Sequence, residues 1–364
     1  MSSSPSRLAQ QVEGSFEDSA YWEYEKSLGN GSYGLAVLLK QHARHGGQRM
    51  AIKIALGTGV GELRAEIGWL KKLHGAKHIV RMLGSSDGLA QSDSNLENTD
   101  QLLGNVPVQT AFQSLERLGP ILALEYLENG NKLTRVVKVV RASIGMAFPV
   151  GSPLGTPPVL ETIPTDGTPI QGIQHNDIAP RNVVIGMGDE IDEHYIGHIF
   201  KLIDFGGADC NNNPFIAPKE NLYFIANFVA FFINMADLPE EPTTLHKGFE
   251  THGGQLLPQT WGVPFPWLDP DLAELIAECM YISRRRRPTL QEVLNRATNA
   301  VHIKTANSFP EPHEETDEAI NQFVQTYILD PPPPQATSSQ WTTPSPESYG
   351  GTGKGKAPWG TVVL

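Results

Sequence analysis

The stretch Gln174-His175-Asn176-Asp177-Ile178-Ala179-Pro180-Arg181-Asn182 constrains this chain more than any other. It follows a turn-rich segment and precedes a short apolar run, Val183 to Ile185. Asp177 and Asn182 stand five apart on a tight loop, so both can face one small volume. A carboxylate there can take a proton from an attacking hydroxyl, and an amide oxygen can bind magnesium. Further on, Lys201-Leu202-Ile203-Asp204-Phe205-Gly206 reads as an apolar strand ending in a second acid and a glycine.

Upstream, a strand is predicted over Tyr21 to Leu28, then Gly29-Asn30-Gly31-Ser32-Tyr33-Gly34, then the apolar run Leu35 to Leu39. A glycine turn between two strands lets backbone N–H groups close over phosphates, because no Cβ blocks the approach. Alone, that spacing fits an ordinary hairpin equally well. Met50 to Ala55 alternates as a strand and carries one lysine, Lys53, which by itself could face solvent. A helix follows over Gly61 to His74, with Leu63, Ile67, Leu70 and Leu73 near helical spacing. His78 to Leu83 and Pro120 to Leu127 read as strands. Between them the pattern breaks over an insertion at about 84–118, of which the polar part, Ser85 to Asp100, reads as surface.

In this order the segments resemble a protein kinase domain, over about residues 20–300. The resemblance implies an α+β, two-lobed fold: a small antiparallel-sheet N-lobe (20–127) and a mainly helical C-lobe (128–302). It implies ATP and Mg2+ as cofactors and phosphoryl transfer as the activity. Gly29, Gly31 and Gly34 would cover the phosphates, with Ala36 and Ala51 beside the adenine. Lys53 would hold the α- and β-phosphates, itself held by Glu66, with Glu62 as the fallback. Glu125-Tyr126-Leu127 resembles the hinge whose backbone binds adenine, so Glu125 and Leu127 are site candidates. Asn182 and Asp204 would hold the metal ions. Asp177 would orient and deprotonate the acceptor hydroxyl, and Arg181 would supply the charge that a lysine two residues after the aspartate usually provides, where Ala179 stands here. His175 is read as a packing residue.

The chain departs from the family pattern after Asp204. Gly206 to Ala217 contains no Ser, Thr or Tyr, and Asn176 replaces the arginine that would grip a phosphate there. Both absences imply an activation segment that needs no phosphorylation. Two alignments of the residues after this segment are open. In one, Ala217-Pro218-Lys219-Glu220 stretches the Ala-Pro-Glu motif, and Glu220 is the partner of Arg287. In the other, which the apolar run favours, Asn221 opens the central helix where an aspartate is usual. Arg284-Arg285-Arg286-Arg287-Pro288 is either a solvated patch or the family's Arg-Pro ahead of a final helix. The resemblance implies a protein acceptor, with Ser or Thr favoured. The alternatives are a small hydroxyl compound, as in aminoglycoside or choline kinases, and a non-catalytic pseudokinase module that only binds ATP.

A formal charge of −12 argues against a nucleic-acid partner, since phosphate binding needs a basic face. Cys210 and Cys279 lack metal-ligand spacing and read as reduced thiols, in the cytoplasm or nucleus. No apolar run is long enough to insert in a membrane; Leu222 to Met235 reads as a buried helix. Residues 1–19 are expected to be a mobile arm, 303–330 an extension with a helix over 317–329, and 331–364 a disordered tail.

Overall fold

The computed structural model describes residues 4–31, 33–86, 108–127, 172–187, 198–210, 213, 215–234, 238, 243–259 and 262–326. The disordered tail expected over 331–364 lies outside these residues. The fold is α+β. Strands β1 (Trp22–Asn30), β2 (Gly34–Gln41), β3 (Arg49–Ala55), β4 (Met82–Ser86) and β5 (Ile121–Glu125) form one antiparallel sheet in the order β1-β2-β3-β5-β4.

The two faces of this sheet serve different ends, and the strand period of two decides which residue goes where. Leu35, Val37 and Leu39 of β2, Met50, Ile52 and Ile54 of β3, and Ile121 and Ala123 of β5 face one cluster. Helices α1 (Pro5–Gly14) and α3 (Val108–Leu115) cover that face with Leu8, Val12, Val108, Ala111, Phe112 and Leu115. The residues between them point the other way: Ala51, Leu122 and Leu124 join the second cluster, and Lys53 lies on that same side.

Two expectations are corrected here. Residues 4–19 are not a free arm. Ser4 caps α1, Pro5 occupies its first turn, and Leu8 and Val12, one helical turn apart, pack on the sheet. Helix α3 lies beyond the stretch read as surface, in the part of the insertion left without a pattern, and buries four side chains against the same face. The strand predicted at His78 starts later, at Met82. His78 and Val80 instead bond to Leu202, through Leu202 N–H to the His78 carbonyl (2.9 Å) and Val80 N–H to the Leu202 carbonyl (3.0 Å).

Beyond the sheet lie the two-stranded pairs β6 (Ile173–Gln174) with β9 (Asp209–Cys210), β7 (Val183–Met187) with β8 (His198–Leu202), and β10 (Thr244–His246) with β11 (Phe249–Thr251). Helix α2 (Val60–Lys72) buries Leu63, Ile67 and Leu70, with Glu62 in its first turn and Lys71 and Lys72 in its last, as the helix dipole favours. Helices α4 (Ala217–Asn234), α5 (Pro270–Cys279) and α6 (Leu290–Ile303) pack in the same cluster as α2, and α7 (Asp317–Val324) adds Ile320 and Phe323. A reciprocal Thr289–Glu292 capping box starts α6. No helix among the described residues is long and apolar enough to cross a membrane.

Candidate active site

Lys53 is the centre of the arrangement. Its ammonium lies 2.6 Å from Glu66 Oε2 and 2.8 Å from Asp204 Oδ1. Strand β3 places Lys53 opposite Ala36 on β2 and Leu122 on β5. Ala36 and Ala51 therefore share its face of the sheet. Glu66 arrives from the buried face of α2, one turn beyond Glu62. Trp69 of that helix donates from Nε1 to the Ala208 carbonyl (3.0 Å), which ties α2 to the segment after Asp204.

The charges respond to this packing. Burial alone would lower Lys53, but Glu66 and Asp204 hold it up at about 12. Burial raises Glu66 against the pull of Lys53. Asp204 would also be raised by burial, yet Lys53 outweighs that and keeps it below the usual carboxylate range. The lysine is thus cationic and Asp204 anionic at neutral pH.

The loop Ile173–Asn182 meets the Asp204 segment through several bonds. His175 Nε2 lies 3.0 Å from the Ile203 carbonyl, and its Nδ1 accepts from Asp177 N–H at 3.3 Å. Both bonds fit the neutral tautomer with hydrogen on Nε2, and burial keeps the ring's pKa low. Its ring meets Phe205 edge-on at 4.6 Å. Ile203 N–H donates to the Asn182 carbonyl (3.0 Å), and Asn176 Nδ2 to the Gly207 carbonyl (3.0 Å). Asn176 and Asp204 both sit at positive φ, 64° and 63°. Strain of this kind in non-glycine residues persists only where neighbours over-determine it.

Within the loop, Asn182 donates from Nδ2 to both the Asp177 carbonyl and Asp177 Oδ2, each at 2.8 Å. Arg181 binds the other oxygen, Asp177 Oδ1. Asn182 is buried with its amide nitrogen engaged, so the amide oxygen is its remaining ligand. That oxygen and the second oxygen of the half-exposed Asp204 carboxylate are hard donors of the type magnesium takes.

The glycine turn closes by Gly31 N–H to the Gly34 carbonyl (3.0 Å). A Cβ on Gly34 would lie 3.0 Å from the Ile54 carbonyl and 3.7 Å from the Lys53 side chain, so only glycine leaves this corner open. Gly59 was not singled out by sequence reasoning, although a Cβ there would fall 1.9 Å from the Tyr33 carbonyl. Leu56 N–H also donates to that carbonyl, at 2.9 Å. The turn is therefore docked on the entry to α2.

The hinge reading of Glu125 concerns its backbone; its side chain ties neighbouring elements together. Its carboxylate accepts from Lys201 Nζ (2.6 Å) and Arg81 N–H (2.7 Å), joining the sheet edge to β8. Leu127 lies against β7: a Cβ on Gly186 would sit 3.0 Å from its Cδ2.

No protein-family model and no curated protein matches the chain.

Glu220 and Asn221, the residues that distinguished the two alignments after Asp204, both make defined contacts. Glu220 pairs with Arg287 at 3.2 Å and also with Arg284. The adjacent Asn221 accepts His175 N–H at Oδ1 (3.1 Å) and donates from Nδ2 to the Ile173 carbonyl (2.9 Å). Consecutive residues on one helix point about 100° apart, so α4 meets the arginines on one side and the loop on the other. Its helix starts at Ala217, four residues before the position favoured from the apolar run.

Proposed function

We propose that this chain is a two-lobed, ATP-dependent phosphotransferase of protein kinase type, acting on protein hydroxyls with Ser or Thr favoured. The observation that carries the reading is the meeting of Lys53 with Glu66 and Asp204, beside the bonded loop of Asp177 and Asn182. Phosphoryl transfer needs little covalent chemistry from a protein; it needs positioning and charge neutralisation. Lys53 offers a fixed cation to the α- and β-phosphates. Glu66 keeps its ammonium directed, since the carboxylate is itself buried and cannot leave for water.

Magnesium would be held by Asn182 and Asp204 and would neutralise charge on the phosphates. Asp177 orients the acceptor hydroxyl and accepts its proton. Arg181 and Asn182 each hold one carboxylate oxygen of Asp177, which restrains its rotation. The Glu220–Arg287 pair favours a protein acceptor over a small one, because the Arg-Pro helix is the feature that aminoglycoside- and choline-type kinases lack. The absence of Ser, Thr or Tyr between Gly206 and Ala217 supports a segment that works without phosphorylation.

The test combines two readouts on purified protein. Mg-ATP should raise the melting temperature, and labelled phosphate should pass from ATP to a protein acceptor. Asp177→Ala should abolish transfer and keep the melting shift; unchanged turnover in that variant would refute the base assignment. Binding without transfer in the native protein would leave the non-catalytic module as the answer.

A further inference from the structure

The surface at the start of α4 carries the opposite sign to the chain as a whole. Lys219 lies in the first turn, and its ammonium donates to the Arg285 carbonyl at 3.1 Å. Phe215 stands two residues before α4 and four before Lys219, and its N–H is held by Asn213 Oδ1 at 3.0 Å. Phe215 is 78% exposed. Arg284, Arg285 and Arg286 are exposed, whereas Arg287 is buried.

The acids nearby do not balance these cations. Glu220 serves both Arg284 and Arg287. Glu292 acts on Lys219 through space, but its carboxylate is engaged by Thr289 in the cap of α6. Arg286 stacks on Phe249. Among the described residues, Arg285 has a side chain with no acid partner, in a chain of net charge −12. The cations also gather at a helix N-terminus, which is itself positive. A bound carboxylate group would relieve all of these repulsions at once. The patch is joined to the candidate catalytic loop two residues beyond Lys219, where Asn221 holds His175 N–H.

We propose that Phe215, Lys219, Arg284 and Arg285 form a docking surface for an acidic segment of the protein acceptor, with the phenyl ring seating an apolar side chain between carboxylates. The acceptor role rests on the phosphotransfer reading above; the docking itself does not. A polypeptide fits better than a nucleic acid. The basic area covers one helical turn and one short neighbouring turn, and the acidic remainder of the chain repels a long polyanion.

The probe is a fluorescein-labelled peptide of repeated glutamate carrying one serine and one tyrosine, read by anisotropy, beside the same peptide with glutamine for glutamate. The full chain should bind the acidic peptide, more weakly as salt rises, and should bind the glutamine peptide far less. Lys219→Glu/Arg285→Glu should weaken binding roughly tenfold or more, because like charges then oppose each other. Lys26→Glu, an exposed charge reversal on β1, should leave binding unchanged. Should the double variant lose its helical circular dichroism, Phe215→Ala, an exposed truncation, must weaken binding instead.

Equal binding of both peptides, equal binding by the native and Phe215→Ala or double-variant proteins, or preference for an RNA oligonucleotide would overturn the docking proposal. Acidic-peptide binding with no phosphate transferred to its serine or tyrosine would overturn the acceptor role and the phosphotransfer reading while leaving docking intact. Transfer as fast to the glutamine peptide as to the acidic one would remove the docking surface and leave the phosphotransfer reading standing.

Discussion

Asn221→Asp is the sharpest test of how α4 holds the loop that carries Asp177. An aspartate is the residue the kinase pattern expects at this position, so the change looks conservative. The bonds say otherwise. Asn221 gives a hydrogen to the Ile173 carbonyl at 2.9 Å and takes one from His175 N–H at 3.1 Å, and it is 4% exposed. A carboxylate keeps the second bond and loses the first. Leaving the Ile173 carbonyl unsatisfied costs about 1–3 kcal/mol. A carboxylate oxygen would then face a carbonyl oxygen, in a site where water cannot intervene.

The bond from His175 N–H gains strength from the new charge, which returns about 1 kcal/mol. The net loss at neutral pH is up to about 2 kcal/mol, or up to roughly 8 °C in melting temperature for a chain of this size. Acid should narrow the deficit, because the protonated carboxyl regains a hydrogen to donate to Ile173. The assay is thermal melting by circular dichroism of native and variant proteins at neutral and mildly acidic pH. A variant that melts at or above the native protein at neutral pH, with no gain on acidification, would show that Asn221 does not donate to Ile173.

Asp204→Asn should flatten the acid limb of the stability profile. The folded carboxyl of Asp204 sits below its ordinary value, so its stabilisation is present above about pH 4 and fades as pH falls through the folded value. Melting of native and variant proteins should converge in acid, and a constant difference across the range would contradict the Lys53 contact. The Lys53 share has the opposite sign: its pKa is raised to about 12, so that share is complete below about pH 10.4 and is lost as pH rises through 12. Gly59→Ala must push the Tyr33 backbone away from a Cβ that would lie 1.9 Å from its carbonyl. The Mg-ATP melting shift should fall severalfold with the overall fold kept, and an unchanged shift would detach the glycine turn from nucleotide binding.

Much of the fold was legible because its period was local. Alternation along Met50–Ala55 and helical spacing along Leu63–Leu73 mark strand and helix by which side chains must be buried, and the structure has both. The buried helix within Leu222–Met235 followed from apolar content, and α4 contains nearly all of that run. The first helix was missed because its serine-rich start resembles an arm, and only packing on β1 and β2 makes Leu8 and Val12 worth burying. The same holds for α3, whose apolar face has no value until the sheet is beneath it.

The sequence alone supplied the candidate site residues Lys53, Glu66, Asp177, Asn182 and Asp204, each in a segment whose local pattern could be read. The resemblance put Glu66 ahead of Glu62 as the partner of Lys53, and the structure has that pair; which of the two reaches the lysine is set by how α2 is rotated against β3. The apolar run favoured Asn221 over Glu220, and the tertiary structure uses both, one toward the arginines and one toward His175. Periodicity is a property of neighbours along the chain. Convergence of groups more than a hundred residues apart is set by the packing of whole elements, and only the three-dimensional arrangement brings Asp204 within 2.8 Å of Lys53.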